Sequence, residues 1–453
     1  MKILIAGAGK VGRNLTDELS DEGHDITLID RNPKILEEVI GKYDVNTLNG
    51  NCASKTTLEE AGIANMDVFV AATNLDEVNL LSSITAHALN PNVRTIARIR
   101  DPEYIDQASA LKEVFALSLI VNPEAQTASE IAKLLKYPGF LKRESFAKTR
   151  VDIVELKVKE GSVLEGVQLL NLENTTKSKV LVCAILRNGE PHIPGGTFTI
   201  QKDDRIFVTG EALELHHMLK RIGVITKPVK HAIIAGGGKI SYYLCNDLHK
   251  IGIATSIIEA NPVTCENLSK SLPFATIIQG DVSDQAVLDS EEIDEYDAFV
   301  SLTGMDELNI VSSMYASVQN VPHIVTKLGR GGEAKLIGDM PIGSVVCPKE
   351  LCTADIVRYV RALENSKGAA ITIHRIADGK VEAIEFIVEE DTKNIGKQLK
   401  DIRTKDDVLI ASIRHGRNLI IPNGTSSFHK GDSVVVVTHK NAGIFTLNDI
   451  FEG

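Results

Sequence analysis

The sequence predicts an α/β protein: two tandem Rossmann-like lobes, each a doubly wound parallel sheet, each followed by a small α+β lobe. Three observations carry this. A glycine turn between an apolar strand and a helix occurs twice, in KILIAGAGKVGRNL from Lys2 and HAIIAGGGKISYYL from His231. The copies keep register, with Gly7 recurring as Gly236, Gly9 as Gly238, Asp30 as Glu259 and Asp67 as Asp297, roughly 230 residues on. After each copy the pattern changes to short β-rich runs bounded by turn residues.

In the first copy the apolar run ILIA reads as a buried strand, and the GxGxxG after it has a physical task. Gly7 permits the tight turn, Gly9 lets a pyrophosphate approach the backbone, and Gly12 lets the helix pack on the strand. The helix N-terminus, with Ala8, Lys10 and Val11 around it, offers free N–H groups and partial positive charge to phosphates. Asp30 closes the next strand, ITLID, where a carboxylate can accept ribose hydroxyls and would repel a 2′-phosphate, favouring NAD(H) over NADP(H).

DVFVAAT (67–73) reads as a further buried parallel strand, placing Thr73 and Asn74 at its C-terminal end. Asn74 followed by Glu77 suggests a capping box opening the helix DEVNLLSSITAHAL. RTIARI is the next strand and Arg98 projects from its end, able to meet phosphate or to pin a neighbouring loop. A helical stretch, 129–140, ends at the stop signal Pro138-Gly139. The first small lobe then follows, with strands VDIVELKV, VLVCAIL and RIFVTG.

The second copy repeats the plan with Gly236, Gly237, Gly238, Lys239 and Ile240, but Ser241 stands at the third glycine position. Glu259 keeps the ribose-reading charge. Thr303 and Gly304 follow DAFVSLT, and Lys327 takes the place of Arg98. ADIVRYVRAL precedes the strands EAIEFIV, VLIASI and SVVVVTH. The turn before the last strand is KDD at 202–204 and KGD at 430–432. Expected boundaries are 1–121 for the first Rossmann lobe, 122–142 for a crossover helix and 143–226 for the first small lobe. Their repeats are 229–347, 348–368 and 369–453.

Composition narrows the function. The net charge of −12 over 453 residues disfavours nucleic acid, whose partners carry a basic face. GRGG at 329–332 is too brief for an RNA-binding tract. No apolar stretch approaches the ~20 residues of a membrane span, and MKILIAGAG lacks a signal-peptide cleavage region. The six cysteines form no CxxC pair, which suits reduced thiols in the cytoplasm. No metal site is expected, and His216 and His217, being adjacent, point to different sides of a helix. No catalytic signature stands out.

The blocks ILIAGAGKVG, AATNLDEVNLL and ARIRDPEY, with Asp30 and the duplicated lobe order, resemble the regulatory-subunit family of bacterial and archaeal Trk potassium-uptake systems. That family is built from RCK (or KTN) domains, and the resemblance covers essentially the whole chain. It implies a non-enzymatic sensor that binds NAD+/NADH, and also ATP or ADP, without consuming them. It further implies a homotetrameric ring, peripheral on the cytoplasmic face of the plasma membrane, seated on a TrkH-like potassium channel or transporter subunit. Carried over by position, Gly7 to Val11 cradle the pyrophosphate, Asp30 holds the adenosine ribose, and Thr73, Asn74 and Arg98 complete the site. Gly236 to Ile240, Glu259, Thr303 and Gly304 match in the second copy. The alternative is an NAD-dependent dehydrogenase with duplicated nucleotide lobes; it is weakened by the second Rossmann copy standing where a substrate domain belongs.

Overall fold

The computed structural model describes residues 1–110, 112–136, 142–146, 152–224, 228–329, 340–364, 370–416, 418–440 and 442–452. Pro138-Gly139 and residues 330–332 of the GRGG stretch lie outside them. The first lobe runs β1 (Lys2–Ala6), α1 (Lys10–Asp21), β2 (Asp25–Asp30), α2 (Pro33–Ile40), β3 (Asn46–Asn49), α3 (Lys55–Glu60), β4 (Val68–Ala71), α4 (Asp76–Leu89), β5 (Arg94–Arg98), α5 (Pro102–Ala110) and β6 (Leu119–Val121), and then the crossover helix α6 (Pro123–Lys136). The strands form one parallel sheet in the order β3-β2-β1-β4-β5-β6, so the winding reverses between β1 and β4. Ligands bind open α/β sheets at the carboxyl ends of the strands beside such a reversal.

Strand periodicity divides the core. Ile3 and Ile5 of β1 join Ile26, Leu28, Val68 and Val70 on one face, under Val11, Leu15 and Leu19 of α1. Leu4 and Ala6 point the other way, with Ile29, Phe69 and Ala71, against Leu58 of α3 and Ala86 of α4. The central strands β1 and β4 are thus apolar on both sides, as parallel strands covered by helices must be, whereas the edge strand β3 (NTLN) is partly exposed.

The first small lobe contains β7 (Lys142–Ser145), β8 (Asp152–Lys157), α7 (Leu172–Thr176), β9 (Val180–Arg187), β10 (Glu190–His192), β11 (Arg205–Gly210) and α8 (Ala212–Arg221), its antiparallel sheet ordered β10-β9-β11-β8-β7. The second Rossmann lobe repeats the first: β12 (His231–Ala235), α9 (Lys239–Lys250), β13 (Ala254–Glu259), α10 (Pro262–Ser271), β14 (Thr276–Gln279), α11 (Gln285–Ser290), β15 (Ala298–Ser301), α12 (Asp306–Val318), β16 (His323–Lys327) and β17 (Ser344–Val346). Its order, β14-β13-β12-β15-β16-β17, is that of the first sheet. A second crossover helix, Pro348–Glu364, leads to β18 (Thr372–Ile376), β19 (Val381–Ile387), β20 (Val408–His415), β21 (Asn418–Ile420) and β22 (Ser433–His439). The repeat extends to irregularities. The register of β9 on β11 skips Cys183, that of β20 on β22 skips Ala411, and both bulged residues are buried in the same apolar cluster.

The chain divides into two compact units that cut across the sequence repeat. One holds the two Rossmann lobes with the second crossover helix, and the other holds the two small lobes. Within the first unit, Cys352, Ile356, Val357 and Val360 of the second crossover helix belong to the same core as α1. Polar contacts fix the alignment, with Asn14 Nδ2 donating to Thr353 Oγ1 at 3.0 Å and Arg361 Nε to Glu22 Oε2 at 3.1 Å. Within the second unit, one apolar cluster draws on both sheets, and Arg205 bridges Glu155 and Asp378. Among the described residues no helix is long and apolar enough to cross a membrane.

Candidate functional site

The two glycine turns sit at the C-terminal ends of β1 and β12. Gly7 has φ +104°, and a Cβ there would lie 2.9 Å from the Ala72 carbonyl oxygen, so only glycine fits. Gly9 is the N-cap of α1, accepts no side-chain cap, and has nothing within 4 Å of where its Cβ would stand. The first-turn amides of α1, around Lys10, Val11 and Gly12, therefore face an open approach, the arrangement that suits a phosphate. Gly238 caps α9 in the same way, ahead of Lys239 and Ile240.

The third position separates the copies. A Cβ on Gly12 would fall 1.8 Å from the Gly7 carbonyl oxygen, so α1 packs directly on the loop. Ser241 is fully buried at the corresponding point, and its Oγ donates to the Gly236 carbonyl. The hydroxyl thus replaces close backbone contact with a hydrogen bond, and the second loop keeps its turn.

Asp30 and Glu259 stand where the sequence puts them, and their present partners are backbone amides. Asp30 Oδ2 accepts Ala8 N at 2.7 Å and Oδ1 accepts Asn32 N at 2.8 Å. Glu259 accepts Gly237 N and Asn261 N, each at 2.7 Å. The longer acid requires the smaller loop residue: a Cβ on Gly237 would come 3.0 Å from Glu259 Cγ and 2.7 Å from Leu268. Ala8 with Asp30, and Gly237 with Glu259, are matched pairs. An ionised carboxylate has about four lone-pair sites, so each acid keeps capacity for ribose hydroxyls.

The other predicted residues divide. Thr73 and Thr303 follow β4 and β15 and border the loops, since the Cβ positions of Gly7 and Gly236 both lie 3.1 Å from the threonine Cα. Asn74 is exposed, and its carbonyl accepts from Arg100; Gly304 is open on its Cβ side. No capping box forms at Asn74–Glu77. The N-cap of α4 is Leu75, whose side chain cannot accept a hydrogen bond; Thr73 Oγ1 takes the Leu75 amide at 3.3 Å, and Glu77 Oε1 accepts Tyr104 Oη at 2.8 Å. Arg98 is not turned loose toward the site; it pairs with Glu124 of α6 at 3.3 Å, both largely buried. Lys327 donates to the Thr303 carbonyl, and burial lowers its pKa.

Two groups were missed by sequence reasoning. Asn79, fully buried in α4, accepts Thr73 N at 2.9 Å and Thr73 Oγ1 at 2.6 Å, and donates to the Arg98 carbonyl at 2.8 Å. Asn309 repeats this with Thr303 and Lys327. Asp76, 4% exposed, accepts Arg100 N at 2.8 Å and Asp101 N at 2.9 Å, and Asp306 takes Gly329 N. The available signal was an Asn three residues after a helix-opening Asp, recurring in both copies.

The two sites face each other within their unit. Lys239 Nζ reaches Asp101 of the first lobe at 2.9 Å, and Tyr243 Oη donates to the Arg100 carbonyl at 3.0 Å. In the opposite sense Lys10 Nζ lies against Gly329 of the second lobe. The Lys239 hydrogen bond holds the Asp101 carboxyl below its ordinary value. The lysine that opens each nucleotide helix therefore touches the other lobe's edge.

These features define a class: a tandem protein of two dinucleotide-type Rossmann lobes, each with a small β lobe. The TrkA-N domain family model matches residues 3–123 and 232–348, and the TrkA-C domain model matches 153–223 and 383–443. The chain is 32% identical over 458 residues to the Trk system potassium uptake protein TrkA of Vibrio alginolyticus, covering 100% of this chain and 99% of that one. It is 30% identical over 437 residues to a TrkA homolog of Archaeoglobus fulgidus, covering 96% and 97%. The chain belongs to the TrkA family, the regulatory and non-enzymatic component of Trk potassium uptake. Among solved structures, the GsuK RCK domain superposes with a TM-score of 0.63 at 15% identity, covering 97% of this chain and 92% of that one. A GsuK channel bound to NAD superposes with 0.62 at 14% identity, covering 97% and 77%. At that identity the likeness carries the fold alone.

Proposed function

We propose that this chain is a nucleotide-sensing regulatory subunit, peripheral on the cytoplasmic face of the plasma membrane, which assembles as a homotetrameric ring and gates a TrkH-like potassium channel subunit. NAD(H) binds the loop Gly7, Ala8, Gly9, Lys10, Val11 and Gly12, with Asp30 on the ribose and Thr73 and Asn74 at the rim. Adenine nucleotides such as ATP or ADP use the same groups, since they share the adenosine and phosphates that the loop reads. Gly236, Gly237, Gly238, Lys239, Ile240, Glu259, Thr303 and Gly304 form the second site. Arg98, held by Glu124, acts by fixing the neighbouring loop. The lobes divide at 1–121, 143–226, 229–347 and 369–453, with crossover helices at 122–142 and 348–368.

The observation that supports this reading most directly is the repeated combination of an uncapped helix N-terminus, a glycine turn and a strand-end acid. A bound pyrophosphate attracts Lys10 and Lys239, which otherwise touch the opposite lobe, so occupancy and lobe–lobe contact are linked. A ligand shifts a conformational equilibrium by its difference in affinity for the two states, typically about 1–3 kcal/mol per site. The test is calorimetric titration with NADH and with ATP, followed by assay of the recovered ligand. Saturable binding with ligand returned unchanged supports the sensor; conversion of the ligand returns the dehydrogenase reading.

A further inference from the structure

The small lobes differ at one buried carboxylate. In the first, Asp204 is 1% exposed and held by a guanidinium, Arg187 Nε to Oδ1 at 2.8 Å and Nη2 to Oδ2 at 2.7 Å, with Gln201 N donating at 2.8 Å. The counterpart in the second is Asp432, 2% exposed, which accepts His429 N at 2.7 Å in the same turn. Here His415 replaces Arg187, with Nδ1 2.7 Å from Oδ1, and His429 replaces Gln201, with Nδ1 3.8 Å from Oδ2. A guanidinium always carries its charge; an imidazole does so only when protonated. The exchange removes a permanent counter-ion from a carboxylate that burial makes costly to leave unpaired, and sets two metal-ligating rings around it.

We propose that His415, His429 and Asp432 form a binding site for a divalent transition-metal ion of the zinc type. The three ligand atoms lie within 4.8 Å of one another. Bonds of about 2.0–2.2 Å in a tetrahedron place neighbouring ligands roughly 3.3 Å apart; His415 Nδ1 stands 2.7 Å from Asp432 Oδ1, His429 Nδ1 stands 3.8 Å from Oδ2, and a set with one atom from each residue spans at most 4.8 Å. Small side-chain rotations of the two rings close the difference. Two imidazoles and one carboxylate suit zinc and its neighbours, whereas calcium and magnesium take oxygen ligands. Both rings are more than half exposed, at 63% and 56%, so water can fill the fourth position. The ion ties the end of β20 to the turn before β22, holding two chain segments that the first lobe joins through Arg187. The site was not expected from sequence because its ligands are spread over 415–432 without a familiar spacing; only the repeat comparison shows that Arg and Gln have both become His.

The experiment uses the full chain freed of metal by chelation. Zinc chloride is titrated by calorimetry, and Co2+ is followed by its visible absorption. Wild type is expected to take up one zinc per chain and to rise in unfolding temperature. His415→Arg restores the pair of the first lobe, so it is expected to match the metal-free wild type in stability while losing the site. His429→Gln weakens zinc by about tenfold or more, on the scale of a lost contact around a metal. Unchanged affinity in His429→Gln overturns the proposal even should His415→Arg fold poorly. So does a near-ultraviolet sulfur-to-cobalt band, which assigns the metal to thiolates. Stability that responds to pH but not to zinc also overturns it, because protonation then neutralises Asp432.

Discussion

Replacing Asp30 tests the nucleotide reading most sharply, because its carboxylate serves two partners. In the structure Oδ2 holds the amide of Ala8, a residue with no exposed surface, and Oδ1 holds the exposed amide of Asn32. Asp30→Ala leaves the Ala8 N–H without its acceptor, a cost of about 1–3 kcal/mol. Water replaces the bond at Asn32. The same substitution removes the charged acceptor for the ribose, worth about 1.5–3 kcal/mol, or roughly a ten- to hundredfold loss of affinity. Asp30→Asn separates the effects: its amide oxygen still accepts Ala8 N, so the loop is held while the charge is gone. Calorimetry with NADH should show one site weakened in both variants, whereas thermal unfolding should drop clearly only for Asp30→Ala. NADH affinity within twofold of wild type at both sites in Asp30→Ala would refute the ribose assignment.

Four further outcomes are expected. NADPH binds the first site at least about tenfold more weakly than NADH, since Asp30 repels the 2′-phosphate; equal calorimetric affinities contradict this. Gly12→Ser destabilises by about 1–3 kcal/mol because its Cβ meets the Gly7 carbonyl, whereas Ser241→Gly costs about 1 kcal/mol through a lost hydrogen bond; urea midpoints of the two variants decide. The pair Lys239–Asp101 is partly exposed and contributes a fraction of a kcal/mol. Because the folded pKa of Asp101 is depressed below 3.8, that contribution is present above pH 3.8 and lost as pH falls through the folded value. The midpoint difference between wild type and Asp101→Asn should therefore close in acid, and a difference constant from pH 7 to 3 would count against the pair. All six cysteines are buried, and burial pushes the Cys183 and Cys352 thiols up to about 12. Ellman's reagent should stay nearly silent until the chain is unfolded; prompt reaction of the native protein would show that these segments open.

Much of the fold was legible because parallel strands covered on both faces write unbroken apolar runs, and glycine turns mark their ends. RIFVTG and SVVVVTH are observed as β11 and β22 at the residues the pattern gave. The strand-end acids were legible as well, since a carboxylate closing an apolar strand stands out; that they also hold the Ala8 and Gly237 amides was not. Asn79 and Asn309 were not, because an Asn near the start of a helix is unremarkable until its partners, which lie at two strands' ends, are brought to it. The capping-box reading failed for a related reason. The helix DEVNLLSSITAHAL is observed where the sequence puts it, but its N-cap is Leu75, and the Glu77 carboxylate accepts from Tyr104 instead of closing a box with Asn74. The reach of Lys10 and Lys239 into opposite lobes depends on the pairing of the two repeats, which no local pattern encodes.

The packing of Pro348–Glu364 on α1 sets a timetable for synthesis. The first Rossmann lobe leaves the ribosome with the α1 surface that Ile356, Val357 and Val360 later cover still bare. About 230 more residues separate the end of β6 from the start of that helix, which takes roughly 11–45 s at about 5–20 residues per second. During that interval the nascent chain carries an adhesive stripe beside its own nucleotide loop. A transcript broken before codon 348 yields a fragment that keeps the loop and the stripe together, ready to adhere to a neighbour. The core under α1 is therefore completed only once Pro348–Glu364 has been made.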